Sequence, residues 1–418
     1  MRSRFLNAPL LIGLCLSVAS AQQAQKPASP PSNPTEEQSS GTQASGMRMH
    51  QPSPEMQRLV NALSGTWSIT EKYEPGEWMP SGGLGRGEEV WRAGPGGLSL
   101  IEDYHSKTPK GEFFGLSVSW WDEKAKGYRA VWCANSLPAG CIVMAKLAKW
   151  EGNQLVLGDE FERNGKKFTF KETLSDVTPN SYSQAQYEGE SGAELKQLVT
   201  IHATRVASPT RANDLIPQLA SQAAILKMPG PKVQNLMLGV WSIKIKYEPS
   251  PEMPKGDVGE GTEVWRPGPG GLSVIEEEHE KNTHGETDGF SVGWWDAKAE
   301  GQRFVWCAND VPEGCVVPKN VAKWEGERLV FIEEREESGR KVRDGEIFSD
   351  IDPTSFMQIL QKGEAGEGLK TTVTIHATKV NAIDVLHQST SQASDATKIA
   401  SMANQTLAQQ IDPALQGF

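Results

Sequence analysis

Residues 87–105, GEEVWRAGPGGLSLIEDYH, and residues 120–141, WWDEKAKGYRAVWCANSLPAGC, decide how this chain is read, because both return. Residues 261–279 are GTEVWRPGPGGLSVIEEEH and residues 294–315 are WWDAKAEGQRFVWCANDVPEGC. Trp67 answers to Trp241, Trp121 to Trp295 and Cys133 to Cys307, each pair 174 residues apart (241 − 67 = 174). The offset runs without a gap from Asn61 to Val206, and about half of the positions are identical. A period this long suits a whole domain with its own core rather than a solenoid unit. Two copies of one domain are expected in the 418 residues.

The chain carries 42 basic and 53 acidic residues, a net charge of −11. That balance argues against nucleic acid and anionic membrane as partners, since both require basic patches. Beyond the N-terminus no stretch of about 18 apolar residues occurs, so no membrane span is expected. The N-terminus itself reads as an address. Arg2 and Arg4 precede the apolar run Leu10–Val18, and Ala19-Ser20-Ala21 is a small-residue cleavage site. Residues 1–21 are therefore expected to be a signal peptide cut near Ala21, exporting the protein to a periplasm or beyond. Leu14 before Cys15 is not the small residue that lipidation of Cys15 needs.

Four cysteines then remain, with three possible connectivities. Cys133 and Cys141 flank a loop ending Pro-Ala-Gly, and Cys307 and Cys315 flank one ending Pro-Glu-Gly. One local disulfide per domain is expected, worth roughly 2.5 kcal/mol in the chain-entropy treatment. The alternative is a metal or redox pair. Two sulfurs without a nearby histidine make a poor zinc site, and the spacing is not C-x-x-C. No metal site is expected.

Residues 22–52, rich in Gln, Pro and Ser, are expected to be a disordered linker. The first domain spans 53–206. It opens with a short helix, in which Met56, Leu59, Val60 and Leu63 share a face before Gly65. Val233, Leu236 and Met237 repeat this before Gly239. Short β-rich runs follow near 66–74, 86–93, 98–106, 112–121, 127–134, 141–150, 153–162, 166–175, 181–188 and 195–206, separated by turn residues. So many antiparallel strands close on themselves, because closure removes edges. Residues 207–229 link the copies, 230–380 are the second barrel, and 381–418 are a tail read as marginal helix or disorder.

Gly65-Thr66-Trp67 opens the first strand and Thr204-Arg205 ends the last; Gly239-Val240-Trp241 and Thr378-Lys379 repeat the pattern. This resembles the calycin superfamily, the lipocalin, fatty-acid-binding and nitrobindin-like barrels. There a Gly-x-Trp near the start packs under an Arg or Lys from the final strand. The run Gly-x-x-x-x-Trp-Trp-Asp, a Lys/Gly turn and Val-Trp-Cys is similar to a bacterial calycin-like family of exported proteins without an assigned function. The resemblance implies an all-β chain of two tandem antiparallel barrels of about ten strands, each preceded by a short helix. It implies a structural role for Trp67, Arg205, Trp241 and Lys379. A cation over a shielded indole is worth up to about 2 kcal/mol.

Alternation assigns the walls. Val199, Ile201 and Ala203 share the inward face of Arg205, which turns His202 outward; the same holds for His376. Relatives that bind haem use an inward histidine, so no cofactor is expected, and haem is a second reading that needs a bulge to turn the ring. Leu116, Val118 and Trp120 are taken as inward, and with them Trp294. Trp132 with Ala130, and Trp306 with Phe304, are inward on the next strand, leaving Arg129 and Arg303 outside. Gly94-Pro95-Gly96-Gly97 has the Pro-Gly centre of a type II turn. Folded about that centre, the hairpin sets Trp91 opposite Leu100 and Glu89 opposite Glu102, with Glu263 opposite Glu276 in the second copy. Opposed carboxylates repel unless a ligand, a base, solvent or a proton relieves them.

The candidate ligand site is therefore Glu89, Trp91, Glu102, Trp120 and Trp132, with Glu263, Trp265, Glu276, Trp294 and Trp306 in the second copy. No catalytic residue is assigned. Gly289-Phe290-Ser291-Val292-Gly293 matches the nucleophile-elbow pattern but lies inside a strand. Gly-Pro-Gly-Gly precedes no helix and cannot cradle phosphate. The pair His279 and His284 reduces to His105 alone in the first copy. The expectation is an exported tandem barrel that binds a small, partly apolar molecule and has no chemistry of its own. The alternatives are a haem protein, an acid–base enzyme using the paired glutamates, and a closed structural module. The sequence does not give the oligomeric state.

Overall fold

The computed structural model describes residues 50–206, 225–251, 253–337 and 339–380. The expected signal peptide, the C-terminal tail, and nearly all of the spacer and linker lie outside them. Helix α1 (Pro54–Leu63) starts where the Ser53 hydroxyl accepts from the Met56 N–H, and it buries Met56, Leu59 and Leu63. Eleven strands follow: β1 (Gly65–Tyr73), β2 (Gly83–Ala93), β3 (Ser99–Thr108), β4 (Gly111–Asp122), β5 (Gly127–Ala134), β6 (Cys141–Val143), β7 (Lys149–Glu151), β8 (Gln154–Arg163), β9 (Lys166–Ser175), β10 (Ser181–Glu190) and β11 (Lys196–Arg205). They form one antiparallel sheet in the order β6-β5-β4-β3-β2-β1-β11-β10-β9-β8-β7. A bridge between Tyr128 and Ala148 joins its two ends. The single strand expected over 141–150 is thus split. Its first part pairs with β5 and its last part with β8, and the kink between them closes the barrel.

The second copy repeats this with β12 (Gly239–Tyr247), β13 (Asp257–Pro267), β14 (Ser273–Asn282), β15 (Gly285–Asp296), β16 (Gly301–Ala308), β17 (Cys315–Val316), β18 (Lys323–Glu325), β19 (Arg328–Glu337), β20 (Arg340–Ser349), β21 (Ser355–Glu364) and β22 (Lys370–Lys379), closed by Gln302 and Ala322. Its opening helix is only a 3-10 segment, Lys232–Met237, which buries Val233 and Met237.

One end of each barrel is shut by the same device. The Arg205 guanidinium lies 4.1 Å from the centre of the Trp67 ring, which is fully buried. Trp67 Nε1 donates to Leu63 O, and Arg205 Nη1 donates to Ser64 O. The end of the helix, the first strand and the last strand are thereby tied together. In the second copy Lys379 Nζ lies 4.9 Å over Trp241 and donates to Leu236 O, while Trp241 Nε1 donates to Met237 O. At the other end, residues 74–82 fold back so that Met79 joins the core and Trp78 meets Tyr73 edge-on.

The expectation that Leu116, Val118 and Trp120 face inward is overturned. Together with Ile101, Val131, Cys133 and Cys141 they form a separate core with Ile275, Phe290, Val292, Trp294, Val305, Cys307 and Cys315. Every member has its counterpart 174 residues away, so the two barrels meet through the same face of each, as in an isologous dimer. The expected disulfides, Cys133–Cys141 and Cys307–Cys315, lie within this layer. The physical reason is that the apolar face of β4, Leu116, Val118 and Trp120, packs on the second barrel, while Gly115, Ser117 and Ser119 face the lumen. Its outer face is buried too, so alternation alone does not say which side is the lumen.

Charges are sunk in the same layer. Arg92 Nη2 lies 3.1 Å from Glu277 Oε1, and Arg266 Nη2 lies 3.2 Å from the same oxygen. Asp103 lies 3.9 Å from Arg92 and 4.0 Å from Arg266. Burial pushes the Glu277 carboxyl up, but Arg92 and Arg266 outweigh it and hold the group below its ordinary value. Glycines let the backbones close up. A Cβ at Gly140 would stand 2.3 Å from Leu272 O, and one at Gly314 would stand 2.5 Å from Leu98 O. Replacing Arg266 by Met leaves Asp103 and Glu277 facing one guanidinium instead of two. A loss on the order of 3–5 kcal/mol is expected by chemical unfolding. Arg340→Met, which removes an exposed ion pair, is expected to cost less than about 1 kcal/mol.

Candidate functional site

Strand register fixes what lines each lumen. In β1, Trp67, Ile69, Glu71 and Tyr73 point inward, and Trp67 pairs with Glu89. Inward positions on neighbouring strands then follow: Glu89 and Trp91 on β2, Leu100, Glu102 and Tyr104 on β3, Gly115, Ser117 and Ser119 on β4, and Ala130 and Trp132 on β5. Across the barrel, Phe170, Glu172 and Leu174 of β9 and Tyr182, Gln184 and Gln186 of β10 complete the wall. Gly115 has no side chain because the Trp132 ring lies on it; a Cβ there would stand 2.3 Å from Cη2. Gly289 and Trp306 repeat that contact.

The hairpin register differs from expectation by two residues. Trp91 pairs with Glu102, and Glu89 pairs with Tyr104. The type II turn at Pro95-Gly96 does form: Gly96 has φ 62° and ψ 7°, and Gly97 N–H donates to Gly94 O at 2.9 Å. Gly97 then takes φ 71°, and Leu98 stays helical before Gly94 N–H meets Ser99 O. The loop is two residues longer than the turn at its start. A shift of two keeps every side chain on its face. Glu89 and Glu102 therefore both face the lumen, but diagonally. In the second copy Trp265 pairs with Glu276, and two carboxyls do stand opposite one another, Glu263 and Glu278.

The structure thus brings Glu89, Trp91, Glu102 and Trp132 to one lumen, and Glu263, Trp265, Glu276 and Trp306 to the other. It takes Trp120 and Trp294 out, into the layer between the barrels. It also adds acids that were not anticipated: Glu71 and Glu172 in the first lumen, Glu278, Glu280 and Glu346 in the second. Their signal was alternation. Glu71 lies between Ile69 and Tyr73 on the inward face of β1, and Glu172 lies between Phe170 and Leu174 on that of β9.

Each acid has few partners. Trp91 Nε1 donates to Glu89 Oε2 at 3.1 Å and Trp265 Nε1 to Glu263 Oε2 at 2.9 Å. Tyr104 donates to Glu71, Gln186 Nε2 to Glu172 at 2.8 Å, Gln358 Nε2 to Glu346 at 2.6 Å and Tyr247 to Glu280 at 2.9 Å. Glu89 Oε1 and Glu263 Oε1 are buried without a hydrogen-bond partner, as is Gln358 Oε1. At this level the lumen-facing positions of the described strands carry no Lys or Arg. The cations sit at the ends, Arg205 over Trp67 and Arg163 bound to Glu188, Lys379 over Trp241 and Arg335 bound to Asp344.

Loss of hydration raises Glu89, Glu102, Glu172, Glu263, Glu276, Glu278, Glu280 and Glu346, and neighbouring carboxyls add to the rise at Glu89, Glu102, Glu263, Glu276 and Glu278. Burial takes Glu89 up to about 8, against the donation from Trp91, and Glu263 up to about 7. Glu102 rises with burial and the nearby Glu89, Glu276 with burial and Glu263, and Glu278 with burial and Glu263. No group of three or more His, Cys, Asp or Glu among the described residues is spaced to hold a metal ion. His202 and His376 are exposed on the outward face, so neither offers a nitrogen to a lumen group such as haem.

No family model matches the chain, and no curated protein matches it. Three solved structures illustrate what it is similar to. A de novo designed fluorescence-activating β-barrel is 11% identical with TM-score 0.20, over 35% of this chain and 96% of that one. A protein of M. tuberculosis is 14% identical with TM-score 0.27, over 37% and 99%. A protein of unknown function from the DUF3598 family of Nostoc punctiforme is 10% identical with TM-score 0.21, over 77% and 97%. At these values the likeness gives this chain no ligand, partner or activity.

The raised carboxyls make stability depend on pH. The folded protein keeps protons on Glu89 and Glu263 that the unfolded chain releases near 4.5. Stability is therefore unaffected below that value and falls as pH rises from about 4.5 toward about 8, by on the order of 1 kcal/mol per group and pH unit. Melting temperatures across this range are expected to decline for the native chain. The decline is expected to be shallower for the Glu89→Gln, Glu263→Gln double variant.

Proposed function

We propose that each barrel is a vessel for a small, partly apolar molecule, of calycin-like type. The observation that carries this reading is a lumen wall in which Trp91, Trp132 and Tyr104, or Trp265, Phe331 and Phe348, stand beside buried polar atoms without partners. A wall made only to pack would fill with apolar groups, because a buried acceptor without a donor costs about 1–3 kcal/mol. An aromatic-lined lumen with a few convergent polar groups is what small-molecule sites look like.

The two disulfides belong to a chain that matures in an oxidising compartment. Combined with the N-terminal basic, apolar and small-residue pattern, they support export as the route to it. No helix among the described residues is long and apolar enough to cross a membrane. The opposed pair Glu263 and Glu278 favours one second reading, acid–base chemistry on the held molecule. Native mass spectrometry of protein purified from its own host tests the vessel. A retained small molecule that is lost on unfolding is the expected result. In Trp91→Ala, Trp265→Ala protein that molecule is expected to be depleted at least about ten-fold. Recovery of the molecule chemically altered on incubation would favour the second reading.

A further inference from the structure

We propose that the molecule taken by each lumen is a small organic cation, an alkyl- or arylalkylammonium, held by its charge against the lumen carboxyls and by its apolar body against the aromatic wall. This rests on the vessel reading and adds the charge of the occupant.

The acids alone would not carry it. Further features do. Of the buried lumen-side atoms without a partner, Glu71 Oε2, Glu89 Oε1, Glu263 Oε1 and Gln358 Oε1 are acceptors on residues more than nine-tenths buried, while the donors Asn282 Nδ2 and Trp324 Nε1 sit on less buried residues. Gln358 carries no charge, yet it leaves its oxygen free for a donor while its nitrogen is spent on Glu346. Among the described residues no Lys or Arg is paired with these carboxyls, and Lys362, one register step beyond Glu346 on the same face, is bound to Glu337 at 2.7 Å. The spacing of the acids does not form a chelating group, which turns from a metal ion toward a bulkier cation. Trp91 and Trp265 each present an indole beside the carboxyl they bind.

The two copies give internal support. Glu89, Glu102 and Glu172 recur as Glu263, Glu276 and Glu346. Glu71 is lost to Ile245, but Tyr104, next to it in the first lumen, becomes Glu278 in the second. The negative character of the lumen survives although the individual positions drift. Burial raises these carboxyls toward the protonated form, Glu89 up to about 8 and Glu263 up to about 7. An entering cation reverses the preference, so binding is expected to release protons.

The test titrates the intrinsic tryptophan fluorescence of the full chain with three matched series, ethyl- to octyl- and phenethyl-ammonium, the corresponding alcohols, and the corresponding carboxylates. Ammonium members are expected to bind at least about ten-fold tighter than their alcohols, and the carboxylates not at all. Calorimetry in two buffers of different ionisation enthalpy is expected to show proton release. The Glu89→Gln, Glu263→Gln variant keeps the shape of a protonated carboxyl, so it is expected to fold and to lose the preference for ammonium over alcohol. If alcohols or carboxylates bind as well as the ammonium series, the cation is overturned and the vessel stands. If no series binds, but the protein from its host retains a neutral or anionic molecule, the same conclusion holds. If nothing binds and nothing is retained, the vessel falls and this inference with it.

Discussion

The strands β3, β4 and β5, with their counterparts β14, β15 and β16, are buried on both faces, and the arrangement of the molecule follows from that constraint. One face lines a lumen and the other packs against the second barrel. Leu116, Val118 and Trp120 on one side and Phe290, Val292 and Trp294 on the other exclude water between the copies. The tandem chain thereby behaves as a covalently joined pair with a two-fold relation between equivalent faces. The ring of Arg92, Arg266, Asp103 and Glu277 fixes the register of that contact. Buried charges of this kind add less to stability than to specificity.

With the outer face accounted for, the inner face is left with an unusual composition. A barrel of this size has enough aromatic and aliphatic side chains to fill its ends, and it does so. α1 and the Trp67–Arg205 contact seal one end, and Met79 covers the other. Between them stand carboxyls whose burial is unfavourable and whose neighbours are other carboxyls. A chain that keeps such groups in both copies retains them against a cost in stability, which is the pattern of sites rather than of cores.

Much of the fold was legible in the sequence. The repeat, the opening helix, the strand succession and the local cysteine pairs all rest on short-range signals. The Trp67 and Arg205 pattern joined first strand to last. The lumen was legible only in part. Glu89, Trp91, Glu102 and Trp132 were found because hairpin geometry and alternation are local. Trp120 was misplaced because the apolar face of its strand is the outer one, and only the presence of a second barrel buries that face. The hairpin partner of Glu89 was misplaced because Gly97 extends the loop past its first turn. Glu172 and Glu346 were missed because strands far apart in sequence bring them to the same space.

Burial raises the lumen carboxyls, Glu89 up to about 8 and Glu263 up to about 7, so protonated carboxyl is expected to persist in both barrels at neutral pH. Infrared spectroscopy of the protonated-carboxyl stretch at neutral pH tests it most directly. A band that persists at neutral pH in the native chain and is diminished when Glu89 and Glu263 are replaced by Gln is the expected result. A spectrum showing only ionised carboxylates at that pH, with no change on replacement, would contradict it.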